Sequence, residues 1–223
     1  MENKVLVIAP HPDDETLGCG GTLLKHISSK DEIHWLIFTN ISEIDGWDID
    51  KVKLRIEEIK HVTNAYGFKS VNKLNFPATK LDEIPISDMV KKINSIISNI
   101  KPNIVYLNDG NDVHTDHQIA FKANMSSVKS FRHPYIKRIL MYETLSETEF
   151  TAPLEGNAFQ PNVFVDITEF FEQKCEIMSE YGDEVMDPPY PRSLDTIESL
   201  AKYRGSRIGV NYAEAFSLLY EKA

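Results

Sequence analysis

The run from Lys4 to Ala9 (KVLVIA) is continuously apolar after its first residue, the pattern of a strand buried on both faces of a sheet. It ends in the turn-prone Pro10-His11-Pro12-Asp13-Asp14. A helical stretch with Leu17, Leu23, Leu24 and Ile27 follows, loosened early by Gly18, Gly20 and Gly21, and a second strand spans Ile33 to Thr39. Val52, Ile56, Ile59, Val62 and Tyr66 recur at three- and four-residue spacing, which predicts a helix over Asp50 to Tyr66 stopped by Gly67. A weak strand covers Lys73 to Phe76. Pro85 to Ile100 reads as an amphipathic helix closed by Pro102, and Asn103 to Leu107 and Arg138 to Tyr142 as two further strands. Beyond Thr144 the alternation weakens. Val163 to Ile167 reads as a strand, Thr168 as the N-cap of a helix over Glu169 to Tyr181, and Leu194 to Tyr203 as a last helix. Pro188-Pro189-Tyr190-Pro191 makes a rigid loop.

Strands alternating with helices imply βαβ units. The expected fold is α/β, a Rossmann-like, doubly wound and mostly parallel sheet with helices on both faces, its crossovers right-handed. No repeat or linker divides the 223 residues, so a single domain over residues 1–223 is expected. The apolar runs are too short to span a bilayer, and no signal-peptide pattern precedes the first strand. Two cysteines, Cys19 and Cys175, make no disulfide framework and read as small core residues, which points to a reducing, cytoplasmic setting. The balance of 24 basic against 34 acidic residues disfavours nucleic acid and anionic lipid as partners. A homo-oligomer is compatible with this composition.

The chemistry concentrates at two strand ends. Ligands of open α/β sheets bind outside the carboxyl ends of the strands. His11-Pro12-Asp13-Asp14-Glu15 follows the first strand, and Asp109 to His117 follows the strand at Asn103 to Leu107. Catalytic zinc commonly takes three ligands from His, Asp and Glu and leaves a fourth position open. His11, one aspartate of the first loop and one histidine of the second would meet that count. The adjacent Asp13 and Asp14 point different ways, so one can ligate while the other takes a proton from water. His114 and His117, three apart, let one ligate while the other stabilises an oxyanion or protonates a leaving amine, with Asp116 orienting that histidine.

Blander readings compete. A lone histidine or Asp-Asp pair at a strand end is usually structural, and a closed four-ligand zinc site using both His114 and His117 satisfies the spacing too. The glycine cluster does not fit G-x-G-x-x-G. Arg55 falls at the edge of its helix's apolar stripe. There it serves either a structural ion pair, for instance with the loop carboxylates, or a contact to substrate.

Ala9-Pro10-His11-Pro12-Asp13-Asp14-Glu15 resembles the opening A-H-P-D-D-E motif of the LmbE-like/PIG-L N-acetylglucosaminyl deacetylases, with Pro10 inserted before the histidine. His114-Thr115-Asp116-His117 is similar to that family's H-P-D-H, with Thr115 replacing proline. Arg55 and Glu58 match its R-x-x-E pair. Phe159 through Asp166 and Arg204 through Phe216 match its later patterns, so the resemblance covers nearly the whole chain. It implies zinc on His11, Asp14 and His117, with Asp13 as general base, His114 as electrostatic or acid partner and Asp116 as its modulator. Arg55 is the candidate substrate contact. The implied reaction is hydrolysis of an acetamide on a small-molecule N-acetylated amino sugar. A zinc hydrolase of another amide or ester, and a non-catalytic metal- or sugar-binding protein, stay open as alternatives. Specificity is expected in residues 40–46 and 143–161, the loops at the strand ends. Bacillithiol-type precursors, glycan- or nucleotide-linked N-acetylglucosamine and free disaccharides are all compatible.

Overall fold

The computed structural model describes residues 2–154, 156 and 158–223. Positions 155 and 157, within the stretch expected to carry specificity, and position 1 lie outside the described residues. The elements run β1 (Lys4–Ala9), α1 (Asp14–Ser28), β2 (Glu32–Asn40), α2 (Ile49–Tyr66), β3 (Ser70–Pro77), α3 (Ile86–Ile100), β4 (Ile104–Asn108), α4 (Thr115–Ser127), β5 (Arg138–Tyr142), β6 (Val163–Asp166), α5 (Phe171–Ser179), α6 (Leu194–Ser206) and β7 (Ala213–Glu221). One seven-stranded sheet has the order β3-β2-β1-β4-β5-β7-β6. The first five strands are mutually parallel, and β7 pairs antiparallel with both β5 and β6.

Because β1 is central, both its faces are covered. Val5, Val7 and Ala9 join one core with α1, α2, α5 and α6, while Leu6 and Ile8 join the other with α3 and α4. This is why KVLVIA shows no polar alternation. The chain reverses direction across the sheet between β1 and β4, which opens a crevice at their carboxyl ends. No helix among the described residues is long and apolar enough to cross a membrane.

Two elements escaped the sequence pattern. The buried face of α4 is Asp116, His117, Ala120, Ala123, Asn124 and Ser127, so it carries no apolar stripe. In β7 the buried run includes Glu214, which breaks the strand signature. Thr168, expected to cap a helix, instead lies in a 3-10 turn at Thr168–Phe170, where its amide and hydroxyl both donate to Asp166 Oδ1. Cys19 is fully buried. Cys175 is only partly buried, packed at the edge of the core rather than on the buried face of α5.

The glycines of α1 serve close packing. A Cβ on Gly18 would meet the Tyr142 ring at 2.2 Å, and one on Gly21 would meet Ile167 at 2.8 Å. The helix breaks at Cys19 (φ −147°, ψ 20°). The groups freed there are recaptured from elsewhere in the fold. Glu214 accepts the amides of Gly21 (2.9 Å) and Thr22 (2.7 Å). Lys174 donates to Leu17 O (3.0 Å) and to Glu214 (2.7 Å).

Candidate metal and hydrolytic centre

The loop after β1 and the loop after β4 emerge side by side because their strands pair, Val5 opposite Ile104 through Val7 opposite Tyr106. His11, Asp13, Asp14, His114, Asp116 and His117 are thereby brought into one cluster. His11 Nδ1 lies 3.2 Å from His117 Nε2 and 3.6 Å from Asp14 Oδ2, and His117 Nε2 lies 3.3 Å from Asp14 Oδ2. Three donors about 2.0–2.2 Å from a tetrahedral zinc stand roughly 3.3–3.5 Å apart, so this triangle fits one face of such a site. His11, His114 and Asp116 make an overlapping second group.

Each histidine of the triangle is fixed through its other nitrogen. His11 Nε2 pairs with Asp116 Oδ2 at 3.0 Å, and His117 Nδ1 with Asp112 Oδ2 at 2.8 Å. Asp116 is itself held by the amides of Thr79 (2.7 Å) and Leu81 (3.1 Å), and Asp112 by the Thr148 hydroxyl (2.6 Å). Carboxylate–histidine pairs of this kind set the tautomer and aim the free nitrogen at a metal. The carboxylate of Asp116 therefore serves His11 rather than His114, its expected partner.

His114 is the N-cap of α4, its Nδ1 accepting the Asp116 amide at 3.1 Å. A backbone N–H can only donate, so Nδ1 is the acceptor and the ring proton of neutral His114 sits on Nε2. Burial, then the neighbouring His11 and His117, pull its pKa down to about 4. His114 is thus a neutral hydrogen-bond donor near pH 7.

Asp13 takes an unusual backbone conformation (φ 135°, ψ −33°), a strain concentrated at the site. Its amide donates to Glu15 at 3.1 Å, and Glu15 also accepts from Thr16 (2.6 Å) and Tyr181 (2.7 Å). The Asp13 carboxylate is 3% exposed and receives Arg192 at 2.9 Å. Burial pushes its pKa up to about 8, against the opposing pull of Arg192 and with Asp14 adding to the rise. A divalent cation in the adjacent triangle favours the charged form. Arg55 donates to Pro12 O (2.7 Å), Glu58 (3.1 Å) and Glu184, and Arg192 also reaches Glu184 (2.6 Å). Arg55 lines the cleft, with each of its three nitrogens making one contact to the protein: the ion pairs run to Glu58 and Glu184, and the loop contributes the Pro12 carbonyl rather than a carboxylate.

A cleft of about 350 Å³ opens above the cluster, with His11, Asp13 and His114 on its floor and Trp47, Leu54 and Arg192 among its walls. A family model described as PIG-L, GlcNAc-PI de-N-acetylase, matches residues 6–128, a span that contains every residue of the cluster. The chain belongs to the PIG-L family. Diacetylchitobiose deacetylase of Thermococcus kodakarensis is 28% identical over 221 residues, covering 95% of this chain and 81% of the relative. A probable N-acetyl-alpha-D-glucosaminyl L-malate deacetylase 2 of Bacillus cereus is 26% identical, covering 78% and 80%. Among solved structures, a conserved protein of Thermus thermophilus superposes with a TM-score of 0.79 at 23% identity, over 99% of this chain and 96% of that one.

Sequence reasoning gave no role in this PIG-L chain to Asp112, Glu15 or Arg192. Asp112 and Glu15 sit inside the motif segments, and only their contacts distinguish them from neighbouring carboxylates. Arg192 is 179 residues from Asp13 and carries no local signal.

The metal-free PIG-L site holds protons that a metal must displace. Burial pulls His11 down, but Asp116 and Asp14 outweigh it and leave its pKa at about 9. For His117, Asp14 and Asp112 outweigh burial and leave it at about 10. Metal uptake at pH 7 is therefore expected to release protons from the two histidines and also from Asp13, which loses its proton beside a cation, so affinity rises steeply with pH below about 9. Calorimetry in buffers of different ionisation enthalpy counts those protons, and release of none would remove the histidines from the ligand set. The sign for stability follows from the raised values. The contribution is complete below the ordinary histidine value of about 6.5 and is lost as pH rises through 9 to 10. The metal-free chain is expected to unfold more readily above that range.

Proposed function

We propose that this chain is a single-domain, zinc-dependent N-deacetylase that hydrolyses the acetamide of an N-acetylglucosamine-type amino sugar or its conjugate. The observation that carries this reading is the His11/Asp14/His117 triangle with the Asp13 carboxylate beside it on the cleft floor. The deacetylase relatives support the substrate class. The free Cys19 and Cys175 accord with a reducing, cytoplasmic setting.

His11, Asp14 and His117 would hold the ion, which when bound supplies Lewis-acid polarisation of the carbonyl and lowers the pKa of water. Asp13 has one carboxylate oxygen engaged by Arg192, which leaves the other to accept the proton of the attacking water. As the water oxygen bonds to the carbonyl carbon, His114 donates its Nε2–H to the developing oxyanion. Asp13 then passes its proton to the departing nitrogen as the C–N bond breaks, releasing acetate and the free amine. The capping bond to His114 Nδ1 favours Asp13 over His114 as that acid, since a second imidazole proton would have to break the cap.

His117→Ala is expected to lose both bound metal and acetate release from N-acetylglucosamine conjugates. Metal analysis by mass spectrometry beside an acetate assay tests this. Full activity in a chelator, with no metal bound, would overturn the proposal.

A further inference from the structure

The N-cap of α1 is withheld from its ordinary work. An aspartate at that position usually turns its carboxylate back to accept an amide of the first turn. Asp13 makes no such side-chain bond, although its carbonyl opens the helix by accepting the amides of Thr16 (3.0 Å) and Leu17 (2.9 Å). Its carboxylate pairs instead with Arg192 on the cleft wall. The backbone there has φ 135°, a conformation that a residue with a Cβ keeps only where its surroundings hold it.

The group that holds it is Glu15, a fully buried carboxylate with no part in the proposed proton path. Its Oε2 accepts the Asp13 amide at 3.1 Å, while Oε1 accepts the hydroxyls of Thr16 (2.6 Å) and Tyr181 (2.7 Å). This is the returning half of a capping box, in which a glutamate of the first turn reaches back to the N-cap amide. The forward half, from the aspartate side chain, is missing. Tyr181 stands 166 residues from Glu15, just beyond α5, with its ring 5.9 Å from the Arg55 guanidinium. The same segment continues to Arg192. It therefore grips Asp13 twice, at the amide through Glu15 and at the carboxylate directly.

We infer that Tyr181 is a positioning residue for the hydrolysis: through Glu15 it fixes the Asp13 backbone so that the carboxylate is released from helix capping and held ready for the attacking water. This rests on the deacetylase reading above, because a fixed carboxylate matters to the rate only if Asp13 moves a proton. Misplacing a reacting group costs turnover, whereas substrate and metal contacts made by other residues persist.

Tyr181→Phe keeps the ring beside Arg55 and removes only the hydroxyl. Acetate release from methyl N-acetylglucosaminide by the metal-loaded enzyme is expected to fall about ten- to a hundredfold in kcat, with KM and bound metal unchanged. In an Asp13→Asn background the same substitution is expected to change kcat less than about twofold, because no base remains to be aimed. Tyr106→Phe removes another buried hydroxyl, one that meets His26 at 3.0 Å in the last turn of α1, and is expected to keep the wild-type kcat. An equal loss in both backgrounds, or no loss from Tyr181→Phe, overturns the inference while the deacetylase reading stands. No acetate from the wild type overturns the deacetylase reading. The hold on the backbone is then read in the metal-free chain by hydrogen exchange of the Asp13 amide. Exchange at least about tenfold faster in Tyr181→Phe supports that hold, and unchanged exchange removes it.

Discussion

Asp13→Asn is expected to keep its metal and lose about 10²–10⁴-fold in kcat, the range typical of a positioned general base. Asparagine is nearly the same size as aspartate and can still accept from Arg192, so the held geometry at φ 135° has every reason to persist. What disappears is a group able to take a proton from water and return it to nitrogen. The proposed ligand set of His11, Asp14 and His117 does not include Asp13, so metal content is expected to match that of the wild type. The pairing with His117→Ala is the informative one, since that variant should lose activity because it loses the ion. Metal analysis together with steady-state kinetics separates the two. An Asp13→Asn enzyme with near-normal kcat would remove Asp13 from the proton path.

Glu214→Ala is expected to destabilise the fold by about 3–5 kcal/mol, the cost of leaving one member of a buried ion pair alone. Lys174 and Glu214 have side chains only 4% and 5% exposed, so solvent cannot compensate the surviving ammonium. The same carboxylate also closes the break in α1 by accepting the Gly21 and Thr22 amides. Lys174→Met combined with Glu214→Ala removes both charges and should recover part of the loss. The remainder belongs to the two bare amides and to Leu17 O, which loses its donor Lys174. Denaturant unfolding of the metal-loaded chain measures each step, and a loss below about 1 kcal/mol in the single variant would contradict the cap. The consequence reaches the site, because the first half of α1 begins at Asp14 and is tied through Lys174 at Leu17.

Much of the fold was legible because its buried strands and several helices bear plain apolar patterns. The helix α4 was not, since its inward face is Asp116, His117, two alanines, Asn124 and Ser127. A helix whose buried face is given to polar groups cannot also display an apolar stripe. In β7, Glu214 occupies a core position for the sake of α1, 193 residues earlier at Gly21. In both elements the residues that obscure the pattern are ones committed to contacts elsewhere, with the site or with the broken helix.

The sequence by itself determined that two strand-end loops carry His and Asp at spacings suited to a metal, and that a parallel α/β sheet would bring such loops to one edge. Those are local properties, written in contiguous residues and in the period of single elements. Only the tertiary structure decided that Asp116 serves His11, that Asp112 serves His117, and that Arg192 holds Asp13. It also decided that Arg55 reaches Pro12, Glu58 and Glu184. Pairings between elements depend on which side chains packing brings within hydrogen-bond reach, and periodicity along one element carries no record of that.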